Sequence, residues 1–149
     1  MTDRTVLPRL ILPWTKTSQL SANSRLHWRR KAQLIKAQKA TAHALALEAG
    51  WHRIRIPEGA IIEVVLTYCP PSQGGFPDDD NVLTANKGAR DALAAVLRVD
   101  DRRFRARAIP GERCNLGAVI VDAEAVVPPA HSAIEHGDSD NMRPVRGQG

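Results

Sequence analysis

Two aspartates separated by a single residue, Asp78 and Asp80, stand in the stretch DDDN at 78–81. In an extended segment, residues two apart project to the same side, so their carboxylates are neighbours and repel. A hard divalent cation between them removes that repulsion. Mg²⁺ selects such oxygen ligands, holding one or two carboxylates and completing its shell with water and substrate phosphate. A third carboxylate stands in the pair Asp100-Asp101, beyond an expected helix of about 18 residues that spans roughly 27 Å. Asp101 meets the first pair if the segment after that helix folds back along it. DDDN also reads as an N-capping cluster, because Asp and Asn are favoured there and anions suit a first turn. One side chain suffices for a cap, and two more add only repulsion. Asp100-Asp101 also reads as a solvated turn. An EF-hand calcium loop is excluded, because its fifth, sixth and twelfth positions, counted from Asp78, hold Val82, Leu83 and Ala89.

Cations gather in two places. Arg25, His27, Arg29, Arg30, Lys31 and Lys36 lie near the start of the first expected helix, and Arg102, Arg103, Arg105 and Arg107 follow Asp101. The formal charge is +5 with a pI near 9.8, a surplus that draws polyanions, of which nucleic acid is the commonest. Lys and Arg on phosphates supply salt-dependent affinity without reading sequence; a solvated face is the alternative for each taken singly. Cations in the first half of a helix oppose its dipole, and a bound phosphate would relieve that. Trp14, Trp28 and Trp51 read as core or dimer packing rather than as base-stacking groups.

The elements that must position these residues follow from periodicity. Residues 6–14 (VLPRLILPW) form a short apolar run broken by prolines, an opening strand expected at a sheet edge. From Trp28 to Ala49 the composition predicts a helix, closed by Gly50 as a left-handed C′ residue. Residues 60–68 (AIIEVVLTY) predict a buried central strand. Prolines and glycines then break all regularity up to DDDN. A second helix is predicted from Asn81 to about Arg98, with Asp80 or Asn81 as its cap and Gly88 as a weak point. A basic strand at 102–109, a turn at Pro110-Gly111 and a strand at 116–126 close the domain as a hairpin.

The expected class is therefore α+β: one compact domain over 1–127, a small mixed sheet and two main helices in the order β-α-β-α-β-β. The polar segment 128–149 reads as a disordered tail. Hydrophobic residues at 43% and charged ones at 25% fit a globular chain. Cys69 and Cys114 lack ligand spacing and read as reduced packing residues. No run approaches the ~20 apolar residues of a membrane span, and the N-terminus lacks a signal-peptide core. A cytoplasmic protein without membrane partners is expected.

The stretch PDDDNVLTANKGARDALAAVLRVDD at 77–101 resembles the signature of the RusA family of phage and bacterial Holliday junction resolvases: D-x-D-N, a helix with a lysine, then D-D at a strand start. LPW at 12–14 and NSRLHW at 23–28, followed by a basic helix, are similar to the family's N-terminal part, so the likeness covers most of residues 8–126. The resemblance implies a Mg²⁺-dependent endonuclease, with Mn²⁺ as a substitute and no organic cofactor, that resolves four-way DNA junctions by paired symmetric nicks in recombination and repair. It implies a homodimer. It carries the family's metal ligands over to Asp78, Asp80 and Asp101, leaving Asp79 and Asp100 as neighbours. The family lysine lies one turn after D-x-D-N, where this chain has Thr84; Lys87 is the substitute, seven residues after Asp80 and close to the same helix face. Some members place arginines before the aspartates, where this chain has Gly74, Gly75, Phe76 and Pro77, so phosphate contacts must come from elsewhere. Two other functions fit the same residues: a DNA-binding module without catalysis, and a nuclease that prefers forks or flaps.

Overall fold

Strand β3 (Ile61–Cys69) alternates between buried and less buried residues and takes partners on both sides. The computed structural model describes residues 3–21 and 24–128, and in it β3 lies between β4 (Phe104–Pro110) and β5 (Ala118–Val127). β5 runs antiparallel to β3 with Tyr68 opposite Val119, and β4 runs parallel to it with Ile62 opposite Phe104 and Tyr68 opposite Pro110. Two short strands, β1 (Asp3–Val6) and β2 (Leu10–Pro13), share the outer edge of β5. The proline-broken opening run is thus an edge, as proline's missing N–H requires.

The expected hairpin at 102–126 is corrected. β4 and β5 are not neighbours; β3 separates them. The helical segment after β3 forms a β-α-β crossover, which lands its next strand parallel to the first. The turn after Pro110 must therefore carry the chain past the end of β3 before β5 begins. There Gly111 donates its N–H to the Tyr68 carbonyl at 2.9 Å, and Cys114 donates to that of Pro70 at 3.0 Å.

Helices cover one face of the sheet. A short α1 (Thr17–Leu20) leads to α2 (Trp28–Glu48), after which Gly50 adopts φ 85° as expected. Trp51 is fully buried beyond it, donating its indole N–H to the Pro8 carbonyl at 2.8 Å. The second predicted helix is two helices, α3 (Asp79–Ala85) and α4 (Lys87–Leu97), divided at Asn86. Asn86 competes for its own backbone: its Nδ2 donates to the Val82 carbonyl at 2.9 Å. Other side chains bond further backbone groups at the break, while the buried Asn86 Oδ1 has no partner among the described residues. Arg90 donates to the Leu83 carbonyl at 2.8 Å, and Gln38 of α2 donates to Ala85 at 2.8 Å while accepting from the Ala89 N–H at 3.1 Å.

The core lies between the helices and the covered face, built from Ile62, Val64, Leu66, Val82, Leu93, Val119 and Val121, with Trp51 at one end. The protein is one compact domain of mixed α and β structure. The tail expected over 128–149 lies, from residue 129 onward, outside the described residues.

Candidate cation site and nucleic-acid surface

The three consecutive aspartates have different surroundings. Asp79, the first residue of α3, accepts a hydrogen bond from the hydroxyl of Tyr68. Burial, and next this bond, push the Tyr68 hydroxyl up to about 12, so it remains a donor throughout the physiological range. Asp78 occupies the N-cap position with extended backbone, yet its side chain makes no capping hydrogen bond. Capping therefore does not account for the cluster. Asp78 and Asp80 are both exposed, and among the described residues neither side chain has a hydrogen-bond or ion-pair partner. With Asp79 turned to Tyr68, two unpaired carboxylates remain at the base of α3, a hard oxygen donor set that a divalent cation suits.

Asp101 lies elsewhere. It opens a short 3₁₀ turn (Asp101–Arg103) that leads directly into β4. Asp79 bonds Tyr68, whose register partner is Pro110 at the other end of β4. The seven residues of β4 put about 20 Å between its ends, at ~3.3 Å per residue. Sequence reasoning expected the returning strand to bring Asp101 beside Asp78. The strand does return, but Asp101 precedes the return and stays at the far end of α4. Among the described residues no three His, Cys, Asp or Glu side chains of one chain gather into a cation site.

Asp100 has its own task. It caps the 3₁₀ turn, accepting from the Arg102 N–H at 2.9 Å and pairing with the Arg102 guanidinium at 3.2 Å. The backbone bond first, and then the guanidinium, lower its carboxyl to about 2. Arg103 donates to the Ala60 carbonyl at 3.1 Å and Arg105 to the Arg102 carbonyl at 3.2 Å, while Arg107 is exposed.

The other cations lie on and beside α2. A shallow groove between α2 and α3–α4 is lined by Lys31, Lys39, Thr84, Lys87 and Asp91. Lys87 pairs with Asp91 at 3.1 Å rather than with either unpaired aspartate, and the break at Asn86 comes between it and Asp80. An exposed i,i+4 pair is worth only about 0.3–0.5 kcal/mol, so Lys87 is readily released to an incoming phosphate. Arg25, His27, Arg29, Arg30 and Lys36 are exposed and Lys31 half-buried. Helix α2 has no acid in its first turn, and His27 caps it by accepting the Arg29 N–H at 3.2 Å. The first buried residue of α2 is Ala42, so its first half stands clear of the core.

Two features escaped the sequence. The Tyr68–Asp79 pair had no signal, because nothing in spacing relates a strand tyrosine to a residue 11 positions on. Trp28, expected in the core or at a dimer contact, is 68% exposed in the single chain and so is not a core residue. The cations on both sides of it were the available signal. Cys69 is buried and Cys114 exposed, both as free thiols, so the packing reading holds for Cys69 alone.

No family model matches the chain. It is similar to an uncharacterized protein of Xylella fastidiosa (strain Temecula1 / ATCC 700964), at 38% identity over 95 residues. That match covers 64% of this chain and 61% of the relative, so it spans less than two thirds of the relative's length.

Proposed function

We propose that this chain is a Mg²⁺-dependent endonuclease for branched DNA, four-way junctions above all, whose cation site takes Asp78 and Asp80 from one copy and Asp101 from a second. The observation that carries this reading is the pair Asp78 and Asp80. One of them holds the cap position of a helix without capping it, and neither has a partner among the described residues. They open α3, whose other end borders, with Lys31 and Lys87, the groove along α2 where a DNA backbone would lie.

The second copy follows from the distance between Asp101 and that pair. β4 is the outermost strand on its side of the sheet. A two-fold axis beside it and perpendicular to it reverses its direction, setting the start of one copy's β4 near the end of the other's. Two such sites related by two-fold symmetry suit a task that needs two symmetric nicks. Asp78, Asp80 and the second copy's Asp101 would hold Mg²⁺ or Mn²⁺, which would supply Lewis-acid chemistry at a phosphodiester and at an attacking water. The chain's own residues hold the cation through carboxylates, draw the backbone with Arg25, Arg29, Arg30 and Lys31, and offset charge developing on the phosphate with Lys87. Among the described residues no helix is long and apolar enough to cross a membrane; a cytoplasmic setting belongs to the same proposal.

A second reading, a DNA-binding module without catalysis, is favoured by the lack of a three-ligand cluster among the described residues of one chain. Nicking of synthetic junctions, forks, flaps and linear duplex with Mg²⁺ or Mn²⁺ separates the readings. The nuclease reading expects paired symmetric nicks on junctions, abolished by Asp78→Asn and by Asp101→Asn with binding retained. A wild-type protein that binds every substrate and cuts none sinks it; fastest cutting of forks or flaps changes the substrate and keeps the chemistry.

A further inference from the structure

Burying a large apolar side chain is favourable, and the three tryptophans use that gain unequally. Trp51 is fully buried, Trp14 partly buried, and Trp28 is 68% exposed at the first position of α2. Trp28 nonetheless has a defined orientation. The His27 ring stacks against it with centroids 5.8 Å apart and planes 25° apart, and the Arg29 guanidinium lies 5.2 Å from its centroid. His27 is itself fixed as the cap of the helix. The chain segment that carries the indole has charge of one sign: no Asp or Glu occurs between Asp3 and Glu48, while Arg25, Arg29, Arg30 and Lys31 flank Trp28 in sequence.

An oriented, exposed aromatic flanked by cations is the combination by which proteins hold unpaired nucleotides: cations follow the backbone and a base stacks on the ring. We propose that Trp28 is a stacking platform for a nucleobase exposed at the branch of a DNA substrate. In continuous duplex each base is already covered on both faces, so the indole finds a free base face only where stacking is interrupted. Trp28 thus distinguishes branched from linear DNA, whereas its cationic neighbours bind both.

The inference rests on the proposed function only in taking DNA as the ligand, and it is tested without cleavage. Full-length wild type, Trp28→Ala and Trp28→Phe are titrated, in Ca²⁺ without Mg²⁺, with a synthetic four-way junction and a linear duplex of matched sequence. Trp28→Ala is expected to weaken junction binding about 5- to 150-fold, the worth of one base stack, with duplex binding nearly unchanged and Trp28→Phe close to wild type. Junction, but not duplex, is expected to quench an exposed tryptophan emission that Trp28→Phe lacks. Equal losses on both DNAs, no loss on either, or a change of oligomeric state on removing the indole would each overturn the proposal. Trp28-dependent junction preference in a protein that never cuts in Mg²⁺ refutes the nuclease and keeps the platform; cutting indifferent to Trp28, with junction preference intact, does the reverse.

Discussion

Gly88→Ala in α4 should lower stability, against the usual effect of alanine in a helix. Helix propensity favours the substitution by about 1 kcal/mol. A Cβ at position 88 would lie 2.6 Å from Gln38 Oε1 and 3.3 Å from Ile35 Cγ2. Gln38 is no loose side chain: its amide bonds the Ala85 carbonyl, the Ala89 N–H and the Thr15 hydroxyl, supporting the backbone at the α3–α4 break. Displacing it forfeits the two backbone bonds at about 1 kcal/mol each and adds overpacking of about 1–3 kcal/mol. The net expectation is about 2–4 kcal/mol of destabilisation, read by urea denaturation followed by circular dichroism. At ~2–4 °C per kcal/mol for a chain of this size, the melting temperature falls by about 5–15 °C. In a Gln38→Ala background the same substitution should be neutral or stabilising by up to about 1 kcal/mol, because the displaced group is gone. Equal destabilisation in both backgrounds would refute the role given to Gln38, and stabilisation of the wild type would refute the packing argument altogether.

The chain has one tyrosine, so tyrosinate absorbance reads Tyr68 alone. Its proton should leave near pH 12 in the folded protein, and Asp79→Asn should bring that down part of the way, since burial remains the larger cause. The raised value favours the neutral hydroxyl, so Tyr68 contributes its stability fully below about pH 10, and the contribution is lost as pH rises through about 12. Titration near 10 in the native state contradicts the buried bond. For DNA affinity, removing one phosphate contact with Arg29→Ala or Arg30→Ala should reduce the slope of log affinity against log salt by about 1 and weaken junction and duplex alike. An unchanged slope for both variants takes the N-terminal half of α2 off the DNA.

The elements were legible because their signals are local. The Val- and Ile-rich run of β3, the long helix α2 with Gly50 after it, and the proline-interrupted edge all follow from residue type and spacing. Strand neighbours were not, because adjacency of β4 and β5 in sequence suggested a hairpin, while the crossover through α3 and α4 decides the pairing. The break at Asn86 was hidden by an apolar period that continues across it, and its satisfaction depends on Gln38, a residue of another helix. Of the candidate site, the DDDN pair was legible by spacing, and the structure separates the roles of its members: Asp79 to Tyr68, Asp78 and Asp80 outward. Asp101 was legible as an acid but not as a distant one, since the position of a residue before a returning strand depends on which way that strand runs.

The central claim is a cation site shared between two copies, and mixing two inactive variants tests it most directly. Asp78→Asn and Asp101→Asn chains carrying different tags are co-expressed, hybrid dimers are purified on both tags, and junction nicking in Mg²⁺ is measured beside each parent and beside a wild-type/Asp78→Asn hybrid as control. With Asp101 supplied by the other copy, the mixed dimer holds one intact and one doubly defective site, so it nicks one strand per junction while both parents stay inactive. A mixed dimer as inactive as its parents, beside a control hybrid that cuts, would mean that all three aspartates act within one chain or not at all.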